Sequence, residues 1–572
     1  MTENSPKLDS RVVGALPVVN YFMREMGLET VLEQFVPADM RSKLAPSVGL
    51  GVLLRNLLLS PEPLYAVWDW CQHCDPGMLQ LPAKVPATML NDDRFGRCLD
   101  KLFEADRAAL MTQIVTNMVR RFGVSLDELH NDSTTVTFEG DYAKAQGQMK
   151  SGRPSVRIAR GHNKDHRPDL KQLVYILTTA ADGAVPVWCS VTHGNTTDDT
   201  THIGTWEALQ VLLGRSDFLY VADSKLCTRE NMAHIQERHG RFITVLPQTR
   251  GETDWFRDWR KSNIPQWVEL QRRSSGRGKN GPEEVYWGFE SPVGTAEGYR
   301  IVWIKSSQKL VRDMISRERR LARATQDLSK LAARLESPRA RRRDVEALKA
   351  AAGAILDATQ TVGLINVVVE QEEEESFKKV GPGRPTEDSQ YVRHVKEQLK
   401  LRWSHSPDAQ KADAEMDGIF PLVTNDPKLI TVEVLAAYKH QPSLERRHEQ
   451  LKTLLEVMPM YLKSATRIEA ILFLYFLAQL VVALIERQIR AAMKTEGLAQ
   501  LPIYPEERGS PRPTAEQLFR VLDGIRCHRL ANHAGATHQT FTDDLTTRQS
   551  TILRLLGIPP KRYFDTCFSH AR

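Results

Sequence analysis

Between residues 126 and 247 the hydrophobic pattern of this chain switches repeatedly between the strand period and the helix period, and no other feature restricts its fold as strongly. The run LHNDSTTVTFEG (129–140) is rich in Thr and Val and predicts a strand. A polar loop, KSGRPSVRIARGHNKDHRPDL, separates it from LKQLVYILTTA (170–180) and AVPVWCSVTH, two β-rich runs about an Asp182-Gly183 turn signal. HGNTTDDT follows, and its Asp and Thr residues suit the N-cap of the helix HIGTWEALQVLL. DFLYVADSKL (217–226) predicts a short strand ending at Asp223, TRENMAHIQERHG a helix stopped by its Gly, and RFITVLP (241–247) one more strand. Three meandering strands followed by alternating helices and strands make a mixed sheet with helices packed on it, so the expected class is α/β.

The flanks read differently. Residues 1–125 are mostly helical by spacing, punctuated by Pro17, Pro46 and Pro61. Residues 248–300 lean to strand and are aromatic, and 308–360 predict an Arg-rich helical hairpin broken near Pro338. The segment 370–389, with its acidic run and its Gly-Pro-Gly, reads as a charged linker; 417–425 reads as a strand, and 431–458 as helices interrupted at Pro442. From about 497 onward the chain reads as irregular and helical by turns. Five regions are therefore expected: 1–125, 126–247, 248–415, 416–495 and 496–572. The most apolar run, Ala470–Ile485, is 16 residues between Glu469 and Glu486. That is shorter than the roughly 20 residues of a membrane helix, so it reads as a buried core helix and no membrane partner is expected.

Seven scattered cysteines and an N-terminus without a secretory pattern point to a reducing, cytoplasmic compartment. Cys71-x-x-Cys74 lacks the second ligand pair of a zinc site. Net charge is +6, unevenly spread: residues 241–350 hold 24 Lys and Arg against 14 Asp and Glu, whereas residues 1–121 hold 13 against 14. A basic block of this kind suits a polyanion partner or a solvated charged helix.

Three acids stand out. Asp132 lies within a β-rich run and Asp223 at the end of another, although strands disfavour acids and a buried carboxylate needs a partner or a metal. Two such acids can converge at one end of a sheet; each can equally cap a turn, Asp223 with Ser224 above all. Glu445 follows Pro442 in the first turn of a helix, where Gln441, Glu445 and Lys452 share a side.

The ordered set HNDSTT, HNKDHRPDL, HGNTTDD, VADSKL and YKHQPSLERRHEQLK resembles the DDE transposases of bacterial insertion sequences. The resemblance covers about residues 125–490 and is to the insertion-sequence-four superfamily, whose signature is Tyr-x2-Arg-x3-Glu-x6-Lys, and within it to the branch numbered sixteen thirty-four. Tyr438, Glu445 and Lys452 match the signature in register, and Gln441 stands where it has Arg. The resemblance implies an RNase H-like mixed-sheet core with helices on both faces. It also implies a helical N-terminal region that binds DNA ends, and a large insertion, β-rich and then a helical hairpin, before the last catalytic helix. It makes Asp132, Asp223 and Glu445 the catalytic and metal-binding acids, with two Mg2+ ions for which Mn2+ substitutes and no small-molecule cofactor. Tyr438, Gln441, Lys452, Lys164 and Arg167 become DNA contacts. Lys439, Arg446 or Arg447 would make up for the missing Arg, and restoring it at Gln441 would keep or raise activity. The expected partner is double-stranded DNA, both element ends and target, bound by a homodimer on the nucleoid. The expected reaction is cleavage at element ends and strand transfer of 3′-hydroxyls. An RNase H-like nuclease without strand transfer shares the acids, and so does a DNA-binding protein whose centre has decayed.

Overall fold

The alternating segment folds as five strands of a mixed sheet. In chain order the elements are β1 (Glu128–Phe138), β2 (Lys171–Ala180), β3 (Pro186–Thr192), α1 (His202–Leu213), β4 (Leu219–Ala222), α2 (Arg229–Glu237) and β5 (Arg241–Val245). The strand order is β3-β2-β1-β4-β5. β2 runs antiparallel to both β1 and β3, while β4 lies parallel to β1 and β5 parallel to β4. This is the mixed sheet expected from the sequence, with the first strand at the centre.

The computed structural model describes residues 7–40, 42–82, 85, 89–274, 283–336, 344–387, 389–453, 455, 462–504, 506, 508–531, 537–565 and 567. Two compact units divide the chain: Met1–Pro247 with Val423–Leu429 and Glu433–Arg572, and Gln248–Leu422 with Ile430–Val432.

In the first unit, helices cover both faces of the five strands. α1 lies on the face where His202 Nδ1 meets the Tyr220 hydroxyl at 3.1 Å and Trp206 sits 5.8 Å from Phe218, ring to ring. The opposite face meets two helices from late in the chain, α4 (Gln441–Thr453) and α5 (Ala465–Thr495), and α3 (Thr431–Tyr438, whose last six residues belong to this unit) precedes them. Pro442 sits in the first turn of α4, where its missing N–H costs nothing, so the expected break falls just before it. α5 is longer than the sequence reading allowed. Its 31 residues, with a mean hydropathy of 2.4 over its most apolar stretch, are enough to cross a membrane, yet that stretch is wholly buried. The N-terminal helices Leu16–Glu25, Pro46–Leu59 and Asp92–Glu104 contact it. Each of its fully buried Leu, Ile and Phe side chains contributes about 1.5–3 kcal/mol.

The N-terminal region is mostly helical, as expected, and the C-terminal region carries helices between irregular stretches; each also contributes strands that the sequence reading did not include. Lys7–Val12 pairs with Arg526–Ala531, which pairs with Thr537–Thr542, so the two ends share a three-stranded sheet.

The second unit is built on three antiparallel strands, Val268–Ser274, Glu283–Glu290 and Arg300–Ser306. Its aromatic residues stack on one another, with Phe256 and Trp303 3.8 Å apart. The helices Ser307–Glu336 and Val345–Thr359 pack through Leu328, Leu331 and Leu348 onto Ile365 and Leu401. Those last two residues belong to a hairpin of two fifteen-residue strands, Ile365–Lys379 and Tyr391–His405. The charged linker read at 370–389 is thus a strand and its turn. Its acids are matched across the ladder: Glu370 to Arg402, Glu372 to Lys400 and Glu375 to Arg393. Opposite charges on facing strands stabilise a sheet that polarity alone argues against. The arginine cluster near Pro338 lies outside the described residues.

Candidate active site

The parallel register of β1 and β4 pairs Asn131 with Ala222. One residue further on, Asp132 continues β1 and Asp223 follows the last residue of β4, at the same end of two adjacent strands, which a sheet spaces about 4.8 Å apart. Burial pushes the Asp132 carboxyl above its ordinary range despite the nearby Lys164 ammonium. Burial does the same to Asp223, and the negative charge of Asp132 adds to it. Each accepts one backbone N–H, Asp132 from Ser133 at 2.8 Å and Asp223 from Lys225 at 2.9 Å.

Two loops bring further charge to this end of the sheet. Lys164 points its ammonium between two carboxylates, 3.4 Å from Asp132 and 3.1 Å from Asp198, and donates to the Ser133 carbonyl at 2.6 Å. Burial alone would lower its pKa; the two carboxylates outweigh it and leave the pKa raised. Asp198 also accepts the Ser133 hydroxyl at 2.6 Å. Burial works against its ionisation, but Lys164 and Ser133 hold its pKa down. The loops are positioned by a backbone-to-backbone contact of two motif glycines. A Cβ on Gly161 would lie 2.1 Å from the Gly194 carbonyl oxygen, and one on Gly194 would lie 1.9 Å from that of Gln172. The Gln172 amide ties both loops by donating to the carbonyls of His162 and Gly194.

α4 closes the other side. Gln441 is buried, with its Oε1 3.4 Å from His130 Nδ1 and its Nε2 3.4 Å from the Asn131 carbonyl. His448 is buried too, its Nε2 3.7 Å from Asp132. That distance suits an ion pair only if the ring is charged. Burial, with Lys164 and Lys452 nearby, lowers its pKa to about 3, so the ring is neutral and the contact is not an ion pair. Glu445 lies between these two residues at spacings of four and three, on the helix face that meets β1, and is itself exposed. Tyr438, at the end of α3, feels both acids: burial, then Asp223, then Glu445 raise its phenol to about 12.

The structure therefore gathers Asp132, Asp223, Lys164, Tyr438 and the Glu445-bearing face of α4. The other expected DNA contacts sit differently. Lys452 is bound to Asp165 at 2.6 Å, and Arg167 forks onto Asp169 at 2.9 and 2.8 Å on the surface. Gln441 faces the strand rather than solvent. Arg447, a suggested substitute for the missing Arg, is buried against Glu486 at 2.9 Å and the carbonyls of Gly183 and Ala184. Asp198 was missed: its acidic pair read as a helix cap, yet α1 begins without a side-chain capping bond and Asp198 turns inward instead.

Asp132, Asp223, Glu445 and Asp198 offer only oxygen donors, the set preferred by a hard divalent cation. Asp132 and Asp223 remain difficult to ionise with Lys164 already present, so their surroundings are short of positive charge. Their donor chemistry suits such an ion, but among the described residues no three of them bring ligand oxygens within 4.8 Å of one another.

Residues 8–116 match a family described as a domain of unknown function, DUF4277. The matched stretch ends before Asp132 and touches none of the acids. No curated protein matches the chain.

Proposed function

We propose that this chain is a metal-dependent DNA transposase that cuts at the ends of a mobile element and joins the freed 3′-hydroxyls to target DNA. One observation carries the reading. At one end of an RNase H-like sheet, Asp132 and Asp223 stand side by side, facing the helix surface that bears Glu445, with a further carboxylate from Asp198. Two Mg2+ or Mn2+ ions, when bound, supply activation of the attacking oxygen and neutralisation of the leaving one.

The chain's own residues do the rest. Asp132 and Asp223 hold from the sheet and Glu445 from the helix. Lys164 keeps a positive charge among the carboxylates and limits their repulsion. Tyr438 stays a neutral phenol, able to donate a hydrogen bond to a phosphate oxygen. Lys452 can exchange its carboxylate partner for a phosphate, a contact that positions DNA without reading its sequence. Water attacks in the cutting step and a DNA 3′-hydroxyl in the joining step, so no Ser or Tyr nucleophile is required.

The test is cleavage and strand transfer on duplexes taken from the DNA flanking the reading frame, with Mg2+ or Mn2+, beside a binding assay. Ala at Asp132, Asp223 or Glu445 is expected to abolish both reactions and spare binding. Near-normal cleavage by Glu445→Ala would remove that residue and leave Glu449 as the next candidate. Cleavage without joined product would make the protein a nuclease.

A further inference from the structure

Away from the carboxylate cluster, Glu128, His130 and His440 each offer a metal-ligand atom, all within 4.8 Å of one another. We infer that these three residues form a separate site for a zinc-type divalent ion, which fastens the first turn of α4 to strand β1.

The placement comes from two elements. Glu128 and His130 are alternate residues of β1 and point to the face that carries Asp132. His440 is the residue before α4 begins. Glu128 Oε1 lies 2.8 Å from His130 Nε2 and 2.9 Å from His440 Nδ1, so both imidazoles converge on one carboxylate oxygen. Tetrahedral zinc, with ligands at about 2.0–2.2 Å, has ligand-to-ligand edges of roughly 3.3 Å. Small rotations reach that spacing, because the Glu128 side chain is 26% exposed and that of His440 49%.

Gln441 supplies an independent argument. A metal-bound imidazole is normally oriented by an acceptor on its other ring nitrogen. His130 Nδ1 faces Gln441 Oε1, and Gln441 Nε2 faces the Asn131 carbonyl, so the amide is itself held in place. With Nδ1–H donating to Gln441, the lone pair of Nε2 is left for the ion. An arginine at this position has no acceptor to offer, which gives Gln441 a chemical reason to stand there.

The donor set separates this site from the oxygen-only acids. Two imidazoles and one carboxylate favour zinc-type ions, whereas Mg2+ prefers oxygen and keeps its waters. Three protein ligands leave a fourth position for water on the exposed side of His440. The bound ion would tie β1 to the residue just before α4, five positions ahead of Glu445, and so fix the catalytic helix against the strand of Asp132.

The experiment dialyses the chelator-stripped full chain against micromolar Zn2+ under excess Mg2+, which occupies oxygen-only sites, and measures bound zinc and thermal stability. One tightly bound zinc per chain and a zinc-dependent rise in Tm are expected. His440→Ala, at a half-exposed position, and Glu128→Gln, which keeps a hydrogen-bond acceptor, should each weaken zinc binding by about 10–100-fold and remove the rise in Tm. Asp223→Asn should leave both unchanged. Failure of the wild-type chain to hold zinc under Mg2+ overturns the inference. So does zinc retained by both ligand variants, or lost in Asp223→Asn. None of these outcomes depends on transposase activity.

Discussion

Ionising Asp132 and Asp223 comes at a cost to the fold, because burial raises the pKa of both carboxyls. The groups facing them are Lys164, Asp198, His202, His448 and, across Tyr438, Glu445. Only Lys164 among these is a cation: burial holds His202 down to about 4 and His448 to about 3. A carboxyl whose folded pKa is raised stabilises the fold fully below its ordinary pKa and loses that contribution as pH rises through the raised value. Asp223→Asn is therefore expected to abolish cleavage yet raise stability at neutral pH by about 0.5–2 kcal/mol, a common trade at strained active sites. The gain should vanish in acid and shrink when Mg2+ is added to the wild type; thermal melts at several pH values check it. Lys164→Met should do the reverse, lowering Tm at neutral pH and recovering in acid or with divalent ion. Gln441→Arg is the third case. The sequence pattern favours it, but the side chain is buried against His130 and a backbone carbonyl. The substitution should lower Tm without raising activity, and a stable, more active variant would show that α4 packs otherwise.

At the scale of elements, α4 is held by a buried pair. Arg447 on α4 meets Glu486 on α5, and both are almost wholly inaccessible. Arg447→Met should lower stability, read from denaturant unfolding, because it leaves the buried Glu486 carboxylate with Arg490 as its one remaining cation, at 3.3 Å, and strips the Gly183 and Ala184 carbonyls of their donor. Pairings of this kind mark where sequence reading succeeds and where it stops. The five core strands and two of their helices were legible because period-two and period-3.6 patterns alternate cleanly, and the Asp182-Gly183 signal fixed the hairpin. Asp132 and Asp223 were visible as acids in apolar strands. Glu445 gained weight only through the motif, since its helical spacing to Gln441 and Lys452 suits an ordinary charged helix surface equally well. Asp198 was hidden because a helix cap and an inward-turned carboxylate look alike in sequence. Arg446 and Arg447 are neighbours of the same type, and only the fold puts one outside and the other in the core. The hairpin at 365–405 was missed because its apolar face is confined to one end, at Ile365, Val367, Leu401 and Trp403, while Glu370–Glu375 are matched by facing charges.

At the scale of the molecule, the basic excess of residues 241–350 has to be sorted into charge that is spent internally and charge that faces water. Arg250 is shared between Glu252 and Glu297, Arg272 between Glu269 and Glu283, and Arg273 is held by Glu284. Arg317 turns inward onto Asp417. By contrast, Arg312, Arg319 and Arg323 on the helix Ser307–Glu336 are exposed, and their spacings of seven and four put them on one stripe, away from the buried stripe of Ala324, Leu328 and Leu331. A row of guanidinium groups on a straight helix can follow a phosphate backbone without reading bases. Each phosphate contact it makes should contribute about 0.9 to the slope of log affinity against log salt. Replacing the three arginines with Ala should therefore lower that slope by about 2–3 and weaken binding to every duplex alike, element end or not. Arg272→Ala, removed from its two carboxylates, should leave the slope almost unchanged and serves as the control. Fluorescence anisotropy across a KCl series on two unrelated duplexes measures both quantities. A triple variant that keeps the wild-type slope would assign the stripe to solvent and move the electrostatic footprint elsewhere on the protein. A slope that falls on one duplex but not on the other would mean that the arginines read sequence rather than charge.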